Sequence, residues 1–148
     1  MTTMIRRRTA IAAVVLAALL GSLAGTSADT ITSLKRYTET KTAPSISSNA
    51  FTANLSNGTQ FQVTLNANVT GITFSNPVTA SGYSNAFTLA LTQDGTGGRT
   101  VTGWPAAVKW PGGSAPTVTA TANKTDLYSF VTYDGGTTWW GLIVAQNL

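Results

Sequence analysis

LTQDGTGGRTVTGWPAAVKWPGGSAPTVTA, residues 91–120, is the stretch whose reading decides the fold class. It holds two glycine-rich turns, at 93–98 and 111–113, and two Trp-Pro steps, Trp104-Pro105 and Trp110-Pro111. Short runs of strand-forming residues lie at 99–102, 108–110 and 117–121. Glycine supplies positive φ and proline fixes φ while removing an N–H donor, so no helix runs through such a stretch. Gly103, set just before a Trp-Pro step, predicts a bulge or a close backbone approach.

The same pattern extends in both directions. Upstream, Phe87, Leu89 and Leu91 alternate with Thr88 and Ala90, as in a strand with one buried face. Further upstream, Phe51, Ala53 and Leu55 alternate, then Phe61, Val63 and Leu65, with Asn57-Gly58 between them. Asn-Gly at that place predicts a two-residue hairpin turn. Ile72 and Phe74 fall on one face of a third strand that Asn76-Pro77 ends, and Ser81 to Asn85 form a polar loop around Gly82 and Tyr83. Downstream, Leu127 to Tyr133 and Thr138 to Ala145 flank Asp134-Gly135-Gly136, a second hairpin. In its last strand Trp140, Leu142 and Val144 share one face and Trp139, Gly141 and Ile143 the other.

Eight or nine short strands at this spacing predict an all-β fold, an antiparallel β-sandwich of jelly-roll type over residues 49–148. Residues 29–48 are polar, rich in Thr and Ser, and predict a linker or extended arm. Residues 1–28 combine Arg6 to Arg8, an apolar run from Ala10 to Leu20 and a tail of small residues. That is the form of an export signal, or of an apolar segment kept as an anchor.

Composition narrows the function. Charged residues are 9% of the chain against 43% hydrophobic and 9% aromatic, which fits a packed domain with a Thr, Ser and Asn surface. The formal charge of +4 owes much to the leader; from Asp29 onward six basic residues face five acidic ones. Nucleic-acid binding needs clustered Lys and Arg, so no nucleic-acid partner is expected. There is no Cys and no His, which removes disulfides, thiolate zinc sites and Cys or His catalysis. Three acidic residues remain in the domain, Asp94, Asp126 and Asp134, and two of them open glycine-containing turns, where a short carboxylate ordinarily bonds the backbone. They supply neither a paired-carboxylate site nor a calcium loop. No catalytic residue, metal or cofactor is expected.

Binding falls to the aromatics, flat apolar faces with polar tips. Tyr83, Tyr133 and Trp139 are the candidate ligand-contacting residues, with the loop around Tyr83 foremost. Trp139 and Trp140 must point to opposite sides of their strand, so one of them belongs to the core.

Five pieces, Gln93-Asp94-Gly95-Thr96-Gly97-Gly98-Arg99, Lys109-Trp110-Pro111-Gly112-Gly113, Ala115-Pro116-Thr117, Thr125-Asp126 and Asp134-Gly135-Gly136, carry a family resemblance. From Phe51 to its end the chain resembles the C-terminal β module of bacteriophage virion surface proteins, tail-fibre-like and other appendage proteins. Gly103 is one residue more than the usual passage to Trp-Pro, and the export-like leader is foreign to such proteins. The resemblance implies a non-enzymatic virion surface structural protein, a fibre, appendage or host-attachment module. It further implies a homotrimer, contact with other virion proteins and a host-surface glycan as ligand. The alternatives are a secreted or surface-anchored carbohydrate-binding module and a capsid decoration protein, with a hydrolase a remote third.

Overall fold

The computed structural model describes residues 38–148. The export-like segment 1–28 and the arm up to residue 37 lie outside the described residues. From residue 38 onward the chain is all-β, with eight strands and two single 3-10 turns. In order these are β1 (Lys41–Thr42), β2 (Ala50–Asn54), β3 (Gln60–Leu65), β4 (Gly71–Ser75), β5 (Asn85–Gln93), β6 (Val108–Lys109), β7 (Thr125–Thr132) and β8 (Trp139–Ala145). Six of them form one sheet in the order β1-β3-β5-β7-β8-β6, and β2 pairs with β4 in a second, smaller sheet.

The period-two pattern sets which side chains meet. β5 turns Phe87, Leu89, Leu91 and Gln93 inward, and β7 turns Asp126, Tyr128, Phe130 and Thr132 inward. Phe51, Ala53 and Ile72 of the small sheet join Phe61, Val63, Leu65 and these residues in one core. Half-buried Phe74 packs against this core, edge-on to Phe87, Phe130 and Trp139 with ring centroids 4.8–5.4 Å apart. Such pairs add roughly 0.5–1.5 kcal/mol each beyond area burial.

The sheets are mixed rather than antiparallel throughout. β5–β7 and β7–β8 are antiparallel, whereas β1–β3, β3–β5, β6–β8 and β2–β4 are parallel. The hairpin expected at Asn57-Gly58 is therefore replaced: β2 pairs with β4 and β3 with β5, in different sheets. The reason is local. A type I′ turn needs positive φ at both central residues. Here Leu55–Asn57 coil into a 3-10 turn whose entry is capped by Asn54 Oδ1, and only Gly58 takes positive φ. The Asn-Gly step thus carries the chain from one sheet to the other.

Two further runs, 99–102 and 117–121, have strand-like alternation, and Val101 and Val118 are buried as that alternation predicts. Neither becomes a regular strand: 99–102 makes a single parallel bridge, Val101 with Val69, and inward-facing polar side chains hold backbone groups at Arg99 and Thr119. Gln93 Nε2 donates to the carbonyls of Arg99 (2.8 Å) and Thr119 (2.7 Å), and its Oε1 accepts from Arg99 N (3.0 Å). Thr119 N donates to Asp126 Oδ2 at 2.7 Å. The region expected to be a linker also contributes: Lys41–Thr42 adds an edge strand beside β3, and Thr42 Oγ1 donates to Asn57 O at 2.9 Å.

Candidate functional site

The β7–β8 hairpin forms as its sequence predicts, with Gly135 and Gly136 at positive φ. Asp134 organises the turn, accepting from Thr138 N (2.9 Å) and from Thr132 Oγ1 (2.8 Å). These donors hold its carboxyl below the ordinary carboxylate range. The loop before β5 packs on this turn. A Cβ built on Gly136 would lie 2.7 Å from Pro77 Cγ, and one on Gly135 would lie 3.1 Å from Thr79 Cα. Asn85 anchors the other end of the loop, accepting from Val78 N and donating to Val78 O at 2.7 and 2.9 Å. Because Asn85 sits opposite Thr132 in the sheet, the loop and the hairpin turn share one end of it. Tyr83 and Tyr133 stand out from that end, 65% and 73% exposed.

Trp139, the third candidate, is 2% exposed and packs edge-on against Phe74 and Phe87, so its ring offers no face to a ligand. The exposed member of the pair is Trp140, at 52%. It belongs to an apolar strip on the outward face of β8 with Leu142 and Val144, and Ile143 beside them is exposed as well. Across the pairing, Val131 lies opposite Trp140, and Leu127 stands on the same face of β7. The outward positions of β3 and β5 are instead polar or small: Gln60, Gln62 and Thr64, then Ala86, Thr88, Ala90 and Thr92. Beyond Trp140 no described strand covers the outer edge of β8. A sheet face turned to water is ordinarily polar, so an apolar strip with an open edge is a candidate contact surface.

The remaining carboxylates are spoken for by structure. Asp94 accepts from Thr96 N and Gly97 N and pairs with Arg99 at 2.9 Å, and the guanidinium keeps its pKa low. Asp126 is 1% exposed. Its Oδ2 accepts from Thr119 N, Tyr128 Oη and Gln146 Nε2, and its Oδ1 from Asn147 N, at 2.7–3.2 Å. Burial opposes the charge, yet these donors prevail and lower the pKa. Burial and the neighbouring Asp126 charge push the Tyr128 phenol far above its usual range. No group of three metal-ligating side chains occurs among the described residues. Sequence reading missed Gln93 and Asp126 as organisers, although each continues an inward apolar period and is polar.

No curated protein and no solved structure gives a significant match. A family model does, over residues 42–138, and its description is a phage tail fibre C-terminal domain. The match runs from β1 to the foot of β8 and takes in both the tyrosine end and the glycine-rich stretch of residues 91–120. All-β architecture, appendage-like motifs and a family match over most of the length agree: the chain belongs to the phage tail fibre C-terminal domain family and is a virion component of structural or appendage type.

Proposed function

We propose that this chain is a non-enzymatic module on the virion surface that presents its tyrosine end to the host. The observation that carries this reading is the placement of Tyr83 and Tyr133, two highly exposed phenols on adjoining loops at one end of the sheet. Phenol rings combine apolar faces with a polar tip and lose little entropy on contact, which suits them to a host-surface glycan. Particles carrying Tyr83→Ala together with Tyr133→Ala are expected to adsorb to host cells at least tenfold more slowly while remaining intact. Unchanged adsorption would overturn the attachment role.

Self-association is the second part of the proposal. The apolar strip of β8 and its open edge support contact with another copy or with a neighbouring virion protein. The homotrimer rests on the resemblance to appendage modules. Leu142→Lys places a charge in the strip without touching the core. It is expected to shift the purified protein from trimer to monomer by light scattering; a trimer that survives this change would place the interface elsewhere.

A further inference from the structure

Asn57-Gly58, the step that carries the chain between the two sheets, is the one Asn-Gly pair in the sequence. Asn57 is exposed, and its carboxamide has no hydrogen-bond partner among the described residues. The turn is capped by Asn54 instead. Glycine is required at 58, where φ is +133° and a Cβ would lie 2.5 Å from Thr40 O. Gly58 N closes the turn onto Leu55 O at 3.4 Å, a long bond that opens easily.

Asparagine is a labile residue, and a following glycine leaves the approach to its carboxamide free of a Cβ. Gly58 N can attack Asn57 Cγ: the N–Cγ bond forms, the Cγ–Nδ2 bond breaks, and ammonia leaves with the Gly58 amide proton. Water then opens the five-membered imide at either carbonyl. One opening gives aspartate; the other gives isoaspartate, whose main chain runs on through Cβ and Cγ. The other described asparagines are each followed by a residue with a side chain, and Asn54, Asn68, Asn76 and Asn85 also have engaged carboxamides. At the Asp-Gly steps, the Asp94 and Asp134 carboxylates are held by backbone N–H donors.

Segment 40–42 rests on this step. Thr42 Oγ1 donates to Asn57 O at 2.9 Å, Thr40 O lies against Gly58, and β1 itself has two residues in register with β3. We propose that Asn57 is a site of spontaneous deamidation and that its isoaspartyl product unseats β1. The added main-chain methylene moves Asn57 O relative to Gly58, so the contacts to Thr42 and Thr40 are not both kept. The new carboxylate also joins a corner where Glu39 already accepts from Thr59 Oγ1 at 2.7 Å, and like charges repel. Once β1 leaves, the outer edge of β3 lies open to another strand. None of this depends on what the tyrosine end binds.

The test is timed incubation of the purified full chain at neutral and at mildly alkaline pH. Peptide mass mapping with isoaspartyl methyltransferase labelling reads the chemistry, and hydrogen exchange reads the structure. Isoaspartate is expected to accumulate at Asn57, faster at the higher pH because the attacking nitrogen must lose its proton, while exposed Asn66 stays intact. Protection over residues 40–42 is expected to be lost in step with that conversion, with β5, β7 and β8 unchanged. Asn57→Ser has no carboxamide to attack and is expected to keep its protection through the same incubation. An Asn57 that lasts as long as Asn66 would overturn the proposal. So would conversion that leaves β1 protected, or a loss of protection that Asn57→Ser shares.

Discussion

Gly103→Ala is expected to cost about 3 kcal/mol, lowering Tm by roughly 15 °C in thermal unfolding followed by circular dichroism. The cause is contact and not backbone conformation, since Gly103 is not among the glycines at positive φ. A methyl at this position would overlap the carbonyl of Thr70 and the nitrogen of Gly71, which are backbone atoms and cannot swing aside. Relief requires pulling apart two segments that are joined on both sides. Ile72 N donates to Gly103 O at 2.8 Å, and Thr102 N donates to Val69 O at 2.9 Å. This crossing fastens the loop before Trp104 to β4 and the small sheet. Gly95→Ala is the control, because its Cβ would meet nothing closer than Asn123 Oδ1 at 4.0 Å, at ordinary φ. It is expected to change stability by less than about 0.5 kcal/mol. Equal effects from the two substitutions would refute the steric account.

The second large effect is expected at Asp126. Asp126→Ala removes the acceptor on which four donors from three separate parts of the chain converge, leaving Gln146 Nε2 only its bond to Thr117 O. A loss of about 3 kcal/mol in urea denaturation follows from leaving buried donors unmade. Asp126→Asn keeps the shape but fares little better. With its oxygen turned to the three donors at the Oδ2 position, its NH₂ faces the N–H of Asn147. Hydrogen exchange is expected to speed up at the Thr119 and Asn147 amides before the rest of the sheet. The pH dependence has a definite sign. The folded carboxyl titrates below the ordinary value of 3.8, so the stabilisation is full above that value and is lost as pH falls through the lower, folded one. Acid unfolding of Asp126→Asn should accordingly be less steep than that of the parent chain. A parallel pair of curves would mean that the charge contributes nothing.

Much of this was legible in the sequence because strand alternation is a direct record of burial. β5, β7 and β8 and the hairpin joining the last two follow from it, as does the opposite facing of Trp139 and Trp140. The close approach at Gly103 was legible too, from a glycine where the chain had no turn to make. Which tryptophan goes inward was not, because both are apolar and the choice is made by Phe74 and Phe87, which arrive from elsewhere. Pairing partners were equally hidden. Alternation fixes the faces of β2 and β3 but is silent on their neighbours, and the Asn-Gly step fits a sheet-to-sheet passage as well as a hairpin. Residues 99–102 and 117–121 resemble strands for the same reason. Their backbone groups at Arg99 and Thr119 are held by Gln93 and Asp126, whose inward placement shows only when the apolar period is carried one step past its end.

The interleaving of the two parallel pairs has a kinetic consequence. β2 and β4 close around β3, which belongs to the other sheet, while β3 and β5 close around β4. Neither pair can form by zipping outward from a turn, and each must await a segment that has yet to cross. Folding therefore starts best from the β7–β8 hairpin around its Asp-Gly-Gly turn, whose partners lie close in sequence, with β5 and the first half of the chain recruited later through distant contacts. For a chain made in many copies and gathered onto one particle, that order matters. The hairpin that forms early already carries the apolar strip of β8, so neighbouring copies can meet before each has finished folding.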